Sequence, residues 1–140
     1  MTNPATTVPI QIDYRVIFEA ASNGMAFTSA ATGRIIEINA AWERITGIRR
    51  ENAIGKTALE LGIWANADER EACLLELARD GRVIEHEVQL VTRHGTVPHS
   101  ISCRLLDAAG EQHVLWEFRD ITEEKQARAA AYGRWHLHLR

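Results

Sequence analysis

The sequence predicts an α+β domain with a single antiparallel sheet, and three observations support this fold class. The chain has 140 residues, 46% of them hydrophobic, and a formal net charge of −3, values typical of one globular domain. Five short segments carry the alternation or the β-branched residues of strands. Helical periodicity separates the second of these segments from the third and also occurs near both ends of the chain.

The sequence of the first half predicts one helix, then two strands, then further helices. Residues 1–12 are polar, contain two prolines and predict a flexible leader. A helix begins at Asp13, and two short strands follow it before residue 39. Asn39 is a favourable N-cap for a short helix. A longer helix begins after Asn66, where Glu69 stands at the position that completes a capping box.

The last third predicts three strands, of which the first two form a hairpin. A two-residue turn at His94-Gly95 places Val88 opposite Ile101 and His86 opposite Cys103. In that register both apolar sets lie on one face, whereas a slip by one residue would expose one of them. The two sets are Ile84, His86, Val88 and Leu90 on one strand, and Val97, His99, Ile101, Cys103 and Leu105 on the other.

Composition excludes several classes of protein. Lys and Arg (16) do not outnumber Asp and Glu (19), so no general attraction to nucleic acid is expected. No run is apolar enough to span a membrane, and the first residues lack the pattern of a signal peptide. Two cysteines fit a reduced, cytoplasmic setting. We find no nucleophile–base–acid set and no zinc-ligand spacing, so neither an enzyme nor a metal site is expected.

Four segments in this order resemble a PAS domain, the sensor module of bacterial signalling proteins. They are GRIIEINAAWERITG (Gly33–Gly47), GKTALELGIW (Gly55–Trp64), RHG (Arg93–Gly95) and FRDITEEK (Phe118–Lys125). The resemblance implies a five-stranded antiparallel sheet in the order 2-1-5-4-3, with the helices on one face around a small cavity. It also implies a sensor domain over residues 13–121. The downstream effector would be a histidine kinase, a cyclic-dinucleotide enzyme or a transcription regulator missing from this chain.

The family's known cofactors do not match this sequence well. Flavin-adduct PAS domains carry a reactive cysteine where this chain has Ala58, and a glutamine where it has Phe118, so covalent flavin is not expected. Haem-binding members use a histidine of the long helix, and residues 66–80 contain none. Stacking of a non-covalent flavin on Trp42 and Trp64 is a weaker alternative. The cofactor therefore stays unknown.

A small, mostly apolar ligand, such as an acid with an acyl chain, fits the expected cavity better. His86 and His99 stand at apolar positions, where they would anchor a carboxylate, lie near the sheet edge, or meet a backbone carbonyl in the core. The large aromatic side chains would pack the core, line the cavity, or both. We expect the helical wall to contain Trp42, Leu59, Trp64 and Leu74, and the sheet wall to contain His86, Ile101, Trp116 and Phe118.

The end of the chain predicts an output helix over residues 122–140. Asp120, Ile121 and Thr122 would transmit ligand occupancy from the last strand to this helix. Tyr132, Trp135 and Leu139 recur at helical spacing, which favours a seam with a second copy of the chain over folding back on the sheet. The predicted function is thus a ligand-binding sensory and dimerisation module. The alternatives are a ligand-free dimerisation linker and, less favoured, a flavin- or haem-based redox or gas sensor.

Overall fold

The protein is described by a computed structural model that covers the backbone of residues 12–138 and the side chains up to residue 135. Nearly all of the predicted leader, residues 1–12, lies outside the described residues. Within them, five helices and five strands follow one another in the predicted order: a helix, two strands, three helices, three strands and a last helix. The elements are α1 (Tyr14–Ala20), β1 (Gly24–Ser29), β2 (Ile35–Ile38), α2 (Ala40–Thr46), α3 (Arg50–Ala53), α4 (Ala67–Asp80), β3 (Arg82–Thr92), β4 (Gly95–Ala108), β5 (Glu111–Asp120) and α5 (Thr122–His138).

The five strands form one antiparallel sheet in the order β2-β1-β5-β4-β3. The predicted α+β class and strand order are therefore confirmed. Helices α2, α3 and α4 cover one face, which we call the inner face, and bury the apolar core there. The start of α5 lies against side chains of the opposite, outer face.

Asn39 joins three elements of the inner layer. It is fully buried, and its Oδ1 accepts hydrogen bonds from the N–H of Trp42 and of Met25, both at 2.9 Å. Its Nδ2 donates to the carbonyl oxygens of Phe18 and Asn23, both at 3.0 Å. The predicted N-cap of α2 thus also holds the end of α1 and the start of β1 in place.

The capping box predicted for α4 is not formed. Asn66 caps the helix as expected, because its Oδ1 accepts from the N–H of Asp68 at 2.9 Å. Glu69, however, accepts a hydrogen bond from the N–H of Gln89 at 2.9 Å. The Glu69 side chain therefore joins α4 to the edge strand β3. The backbone N–H of Gln89 takes the place that the backbone N–H of Asn66 would have in a capping box.

The predicted pairing of the β3–β4 hairpin is wrong by two residues. Its turn is Arg93-His94, flanked by Thr92 opposite Gly95, so His86 lies opposite Ile101 and Val88 lies opposite His99. A shift of two residues keeps every side chain on its face, because side chains alternate with a period of two. The buried positions of Val88 and Ile101 were therefore predicted correctly although their partners were not.

A β-bulge between Val83 and His86 reverses the face of the residues beyond it. Glu85 adopts a positive φ of 49°, and its N–H donates to Ser102 Oγ at 3.0 Å. Val83 is consequently buried opposite Cys103, whereas Ile84 is 61% exposed. The expectation that Ile84 faces the core is wrong, because the inserted residue breaks the alternation on which it rested.

Candidate functional site

A cavity of about 210 Å³ lies between the inner face of the sheet and the helical layer. One end is formed by the turn between β1 and β2, and the wall opposite the sheet comes from α2, α4 and residues 57–64. The twenty lining residues are Ala26, Thr28, Ser29, Ala30, Ala31, Thr32, Gly33, Ile35, Trp42, Thr57, Ala58, Ile63, Trp64, Arg70, Leu74, Leu90, Ile101, Val114, Trp116 and Phe118.

Six of the eight residues expected at the ligand line this cavity. Trp64 and Trp116 meet edge to face across it, with ring centroids 6.0 Å apart. Such pairs add to the stability that burial of the rings supplies. The helical wall contains Trp42, Trp64 and Leu74, and the sheet wall contains Ile101, Trp116 and Phe118.

Leu59 and His86, which we expected among the ligand-binding residues, do not line this cavity. Leu59 is 50% exposed, on the outside of the turns that follow α3. His86 lies four residues along β3 from Leu90, which does line the cavity; in an extended strand that is about 13 Å. The Nδ1 atom of His86 is instead 3.8 Å from Glu76 Oε1 of α4.

His99 is fully buried on the inner face without lining the cavity. Its Nδ1 is 3.0 Å from the carbonyl oxygen of Val97, and contact with a backbone carbonyl in the core was one of the alternatives expected for this residue. Its ring meets Phe118 edge to face at 5.6 Å, and its Nε2 has no hydrogen-bond partner among the described residues. His99 therefore backs the cavity wall through Phe118.

Phe118 is held from its other side by a glycine. A Cβ atom added at Gly24 would lie only 2.3 Å from Cζ of Phe118, so no larger residue fits there without moving the ring. Gly24 and Phe118 are paired across β1 and β5. The ring of Phe118 can therefore occupy its place in the cavity wall only because residue 24 is a glycine.

A hydrogen bond between two wall residues leaves a polar group directed at the cavity. Trp116 Nε1 donates to Thr28 Oγ1 at 3.0 Å. A threonine hydroxyl also carries its own donor, and no protein acceptor takes it in the part of the chain that the structure describes. Thr28 can therefore donate one hydrogen bond to a ligand.

Arg70 is a wall residue that the sequence reasoning missed. It precedes Leu74 by four residues, so the two share one face of α4, and this spacing was the available signal. Its side chain is only 27% exposed, and it is the one charged member among the described lining residues. His86, which we expected to anchor the ligand, does not reach the cavity. Arg70 does, and it places a positive charge in the cavity wall.

Neither cysteine lines the cavity, and both thiols are unreactive by environment. Burial raises the pKa of Cys73 to about 11 and that of Cys103 to about 12. At neutral pH almost no thiolate is present, and the thiolate is the nucleophilic form. Among the described residues, no group of three or more metal-ligating side chains is close enough to hold an ion.

The junction between β5 and α5 follows the cavity wall within two residues. The Asp120 carboxylate accepts from the N–H of Thr122 at 2.8 Å and from its hydroxyl at 2.6 Å. Burial alone would raise the pKa of Asp120, but the hydrogen bonds from Thr122 hold it below its usual value. Ile121 is buried, and its N–H donates to the carbonyl oxygen of Pro98 at 3.1 Å.

Ion pairs attach the first turns of α5 to the outer face. Glu87 of β3 contacts Arg128 at 2.7 Å and Lys125 at 3.3 Å. Hydrogen bonds from Arg128 and then Lys125 lower the pKa of Glu87. Arg119 of β5 pairs with Glu124 in the same way. We call this group of charged side chains the ionic clasp.

The far half of α5 presents two of the three residues expected at a dimer seam. Tyr132 and Trp135 are 65% and 60% exposed. The third, Leu139, lies outside the described residues. In the described part of the chain, no helix combines the length and the apolar character that crossing a membrane requires.

Several solved PAS-domain structures have this fold at low sequence identity. A PAS domain from Colwellia psychrerythraea is 19% identical, covers 79% of this chain and 95% of its own, and has a TM-score of 0.67. The PAS domain of a LuxR-family transcriptional regulator from Burkholderia thailandensis, in complex with ethanol, is 20% identical with a TM-score of 0.63, over 79% and 99% of the chains. The quorum-sensing receptor RpfR PAS domain from Cronobacter turicensis, in complex with C12:0, is 23% identical with a TM-score of 0.57, over 73% and 96%.

The family itself is shown by a direct match to sequence. No curated protein matches the chain. A family model described as PAS domain matches residues 22–123, which is most of the chain and includes the whole sheet. The resemblance seen in the sequence and the observed strand order agree with this match. The chain belongs to the PAS domain family, whose members are sensory modules of signalling proteins.

Proposed function

We propose that this PAS domain binds a small, mostly apolar ligand in its cavity and transmits occupancy to α5. The observation that carries the proposal is the continuity of β5. Trp116 and Phe118 of this strand line the cavity, and Asp120, two residues later, caps α5. A ligand that displaces either ring therefore acts on the strand from which the output helix begins.

Transmission requires that the ligand bind two states of the domain with different affinity. Phe118 is packed between Gly24 and His99, so its ring has little room to adapt without movement of the strand. Movement of β5 would shift Asp120 relative to Thr122 and change how α5 starts. Asp120, Ile121 and Thr122 are the transmission residues in this proposal.

The size of the cavity limits the ligand. By proportion to a ~150 Å³ cavity that holds benzene, it has room for about eight non-hydrogen atoms. That is less than a tricyclic flavin ring or a haem, and no histidine is among the described lining residues. The ethanol and C12:0 complexes of the two structural neighbours support the binding of a small molecule by this fold.

The wider setting is proposed on the same basis. In this proposal residues 13–121 are the sensor, and α5 pairs with the same helix of a second chain through Tyr132 and Trp135. Leu139, the third residue expected at this seam, lies outside the described residues. This homodimer would pass its state to an effector domain of a cytoplasmic bacterial signalling protein. No catalytic role is proposed for the domain itself.

Native mass spectrometry of the freshly purified protein tests ligand binding. We expect a mass excess that disappears on denaturation, is absent from Ala58→Leu, which fills the cavity, and is retained by Ala72→Leu, an exposed position of α4. Urea titration of Ala58→Leu shows that it still folds. Retention of the bound mass by a folded Ala58→Leu would contradict the proposal and favour a ligand-free linker.

The output and dimer parts need separate measurements. Hydrogen exchange of residues 122–130 should differ between ligand-bound and ligand-free protein, and equal rates would contradict transmission. The native mass should be that of a dimer, and Trp135→Glu should convert it to a monomer. Leu75→Glu, at another exposed apolar position, is the control and should remain dimeric.

A further inference from the structure

The cavity contains one charged side chain whose surroundings do not neutralise it. About three-quarters of the Arg70 side chain is removed from solvent, since 27% remains exposed. Its sole polar contact among the described residues is Glu71, at 3.8 Å, and the Glu71 side chain is itself 65% exposed. That contact is longer than a hydrogen bond and faces water.

A guanidinium in this position calls for an anionic partner. It has five N–H donors and keeps its positive charge at all accessible pH values, and a charge that is partly removed from water attracts an opposite charge more strongly than an exposed one does. Among the described lining residues there is neither an aspartate nor a glutamate. The protein therefore provides the cation of an ion pair at the cavity and does not provide the anion.

The other polar groups of the wall also suit an acceptor. Four hydroxyl side chains line the cavity; that of Thr28 has a donor left after it accepts from Trp116, whereas that of Thr57 already donates to Glu60 at 3.3 Å. Donors are what a carboxylate binds, because in its ionised form it accepts hydrogen bonds and donates none. The hydroxyl side chains are Thr28, Ser29, Thr32 and Thr57.

We propose that the ligand is a small monocarboxylate whose head group pairs with Arg70 while its hydrocarbon part lies among the tryptophans. This inference rests on the proposed ligand-binding function and specifies the chemical class of the ligand. A carboxylate matches the planar fork of a guanidinium with two parallel hydrogen bonds. Room for about eight non-hydrogen atoms indicates an aliphatic acid of roughly six carbons or a simple aromatic acid.

Isothermal titration calorimetry with matched acids and amides tests the proposal. Hexanoate and hexanamide have nearly the same shape and differ in charge, and benzoate and benzamide form a second such pair. At pH 7.5 each acid should bind roughly ten- to a hundredfold more tightly than its amide, the range expected for a hydrogen bond to a charged group. Arg70→Gln should abolish this preference and leave binding of the amides unchanged.

Two control variants separate charge at the site from charge on the helix. Arg70→Lys keeps the cation without the fork and should retain part of the preference. Arg79→Gln removes a charge from the same helix, outside the cavity, and should leave the preference intact. Circular dichroism and urea titration establish that each variant is folded.

The failure of this inference is distinguishable from the failure of ligand binding. Equal affinity of wild-type protein for acids and amides, or an unchanged preference in Arg70→Gln, would overturn the carboxylate proposal and leave the cavity a neutral ligand site. If neither acids, amides nor hexan-1-ol bind, and native mass spectrometry shows no bound mass, both proposals are overturned.

Discussion

The two faces of the sheet hold their helices by different means. On the inner face, Trp42, Ile38 and Val88 are almost fully buried, and the contacts are apolar or saturated by hydrogen bonds. On the outer face, Glu87 and Arg128 form an ion pair with 45% and 64% of their side chains exposed. Burial of apolar surface is strong and insensitive to salt, whereas exposed ion pairs are weakened by water and by counterions. The inner face thus maintains the fold, and the outer face lets α5 be displaced at small cost.

Asn39→Ala should have the largest effect, because it acts on the inner layer. The change removes an N-cap and leaves four backbone groups without their buried partner, so we expect roughly 3 kcal/mol or more of lost stability. Asn66→Ala removes the exposed cap of α4, which has one hydrogen bond, and should cost about 1 kcal/mol. Urea unfolding measures both. Equal losses would mean that Asn39 acts as a cap alone.

Gly24→Ala should have the next largest effect. The new methyl group would overlap the ring of Phe118, and overpacking of this kind costs about 1–3 kcal/mol. The ring would also move, which should alter affinity for any cavity ligand. Gly133→Ala in α5 meets no atom within 4 Å and should be neutral or stabilising by up to about 1 kcal/mol. A fully stable Gly24→Ala would show that β1 and β5 can separate freely.

Glu87→Gln should loosen α5 and barely change global stability. Arg128 and Lys125, two of the three cations of the ionic clasp, lose the charge of their acceptor, so amide exchange of residues 122–128 should accelerate. High salt should produce a similar acceleration in the wild-type protein and little further change in the variant. Glu123→Gln makes the same change of charge at an exposed position in the first turn of α5, outside the ionic clasp, and serves as control. A drop in the urea midpoint as large as that of Gly24→Ala would contradict the expectation that the ionic clasp contributes little to global stability.

Acid should give the smallest effect and should act on the outer face first. The pKa values of Glu87 and Asp120 are both lowered in the folded protein. Each carboxylate therefore contributes stability at neutral pH that is lost only as pH falls below its ordinary value, 4.5 for Glu87 and 3.8 for Asp120. Exchange in α5, corrected for the intrinsic rate, should stay constant from pH 7 to 5 and rise below about pH 4. A rise already at pH 6 would implicate a histidine instead.

Local sequence determined much of the fold because its causes are local. Caps such as Asn39 and Asn66 act on backbone groups two or three residues away, and strand alternation reveals which face is buried. The aromatic wall of the cavity was predictable for the same reason, since large apolar side chains on inner faces must converge. The bulge at Glu85 was not predictable, because no glycine or proline marks it and its bond to Ser102 comes from another strand.

Which charged or polar residue reaches the cavity depends on distances between elements that are far apart in the sequence, and no local sequence pattern reveals those distances. His86 and Arg70 were equally visible in the sequence, one as a polar residue at an apolar position and the other one turn from Leu74. Which of them reaches the cavity depends on how far along β3 the helix α4 crosses the sheet. By itself, the sequence determined the class, the strand order through its family resemblance, and the apolar wall. Only the tertiary structure decided the register, the bulge and the charged residue of the cavity, because these follow from packing between elements distant in the chain.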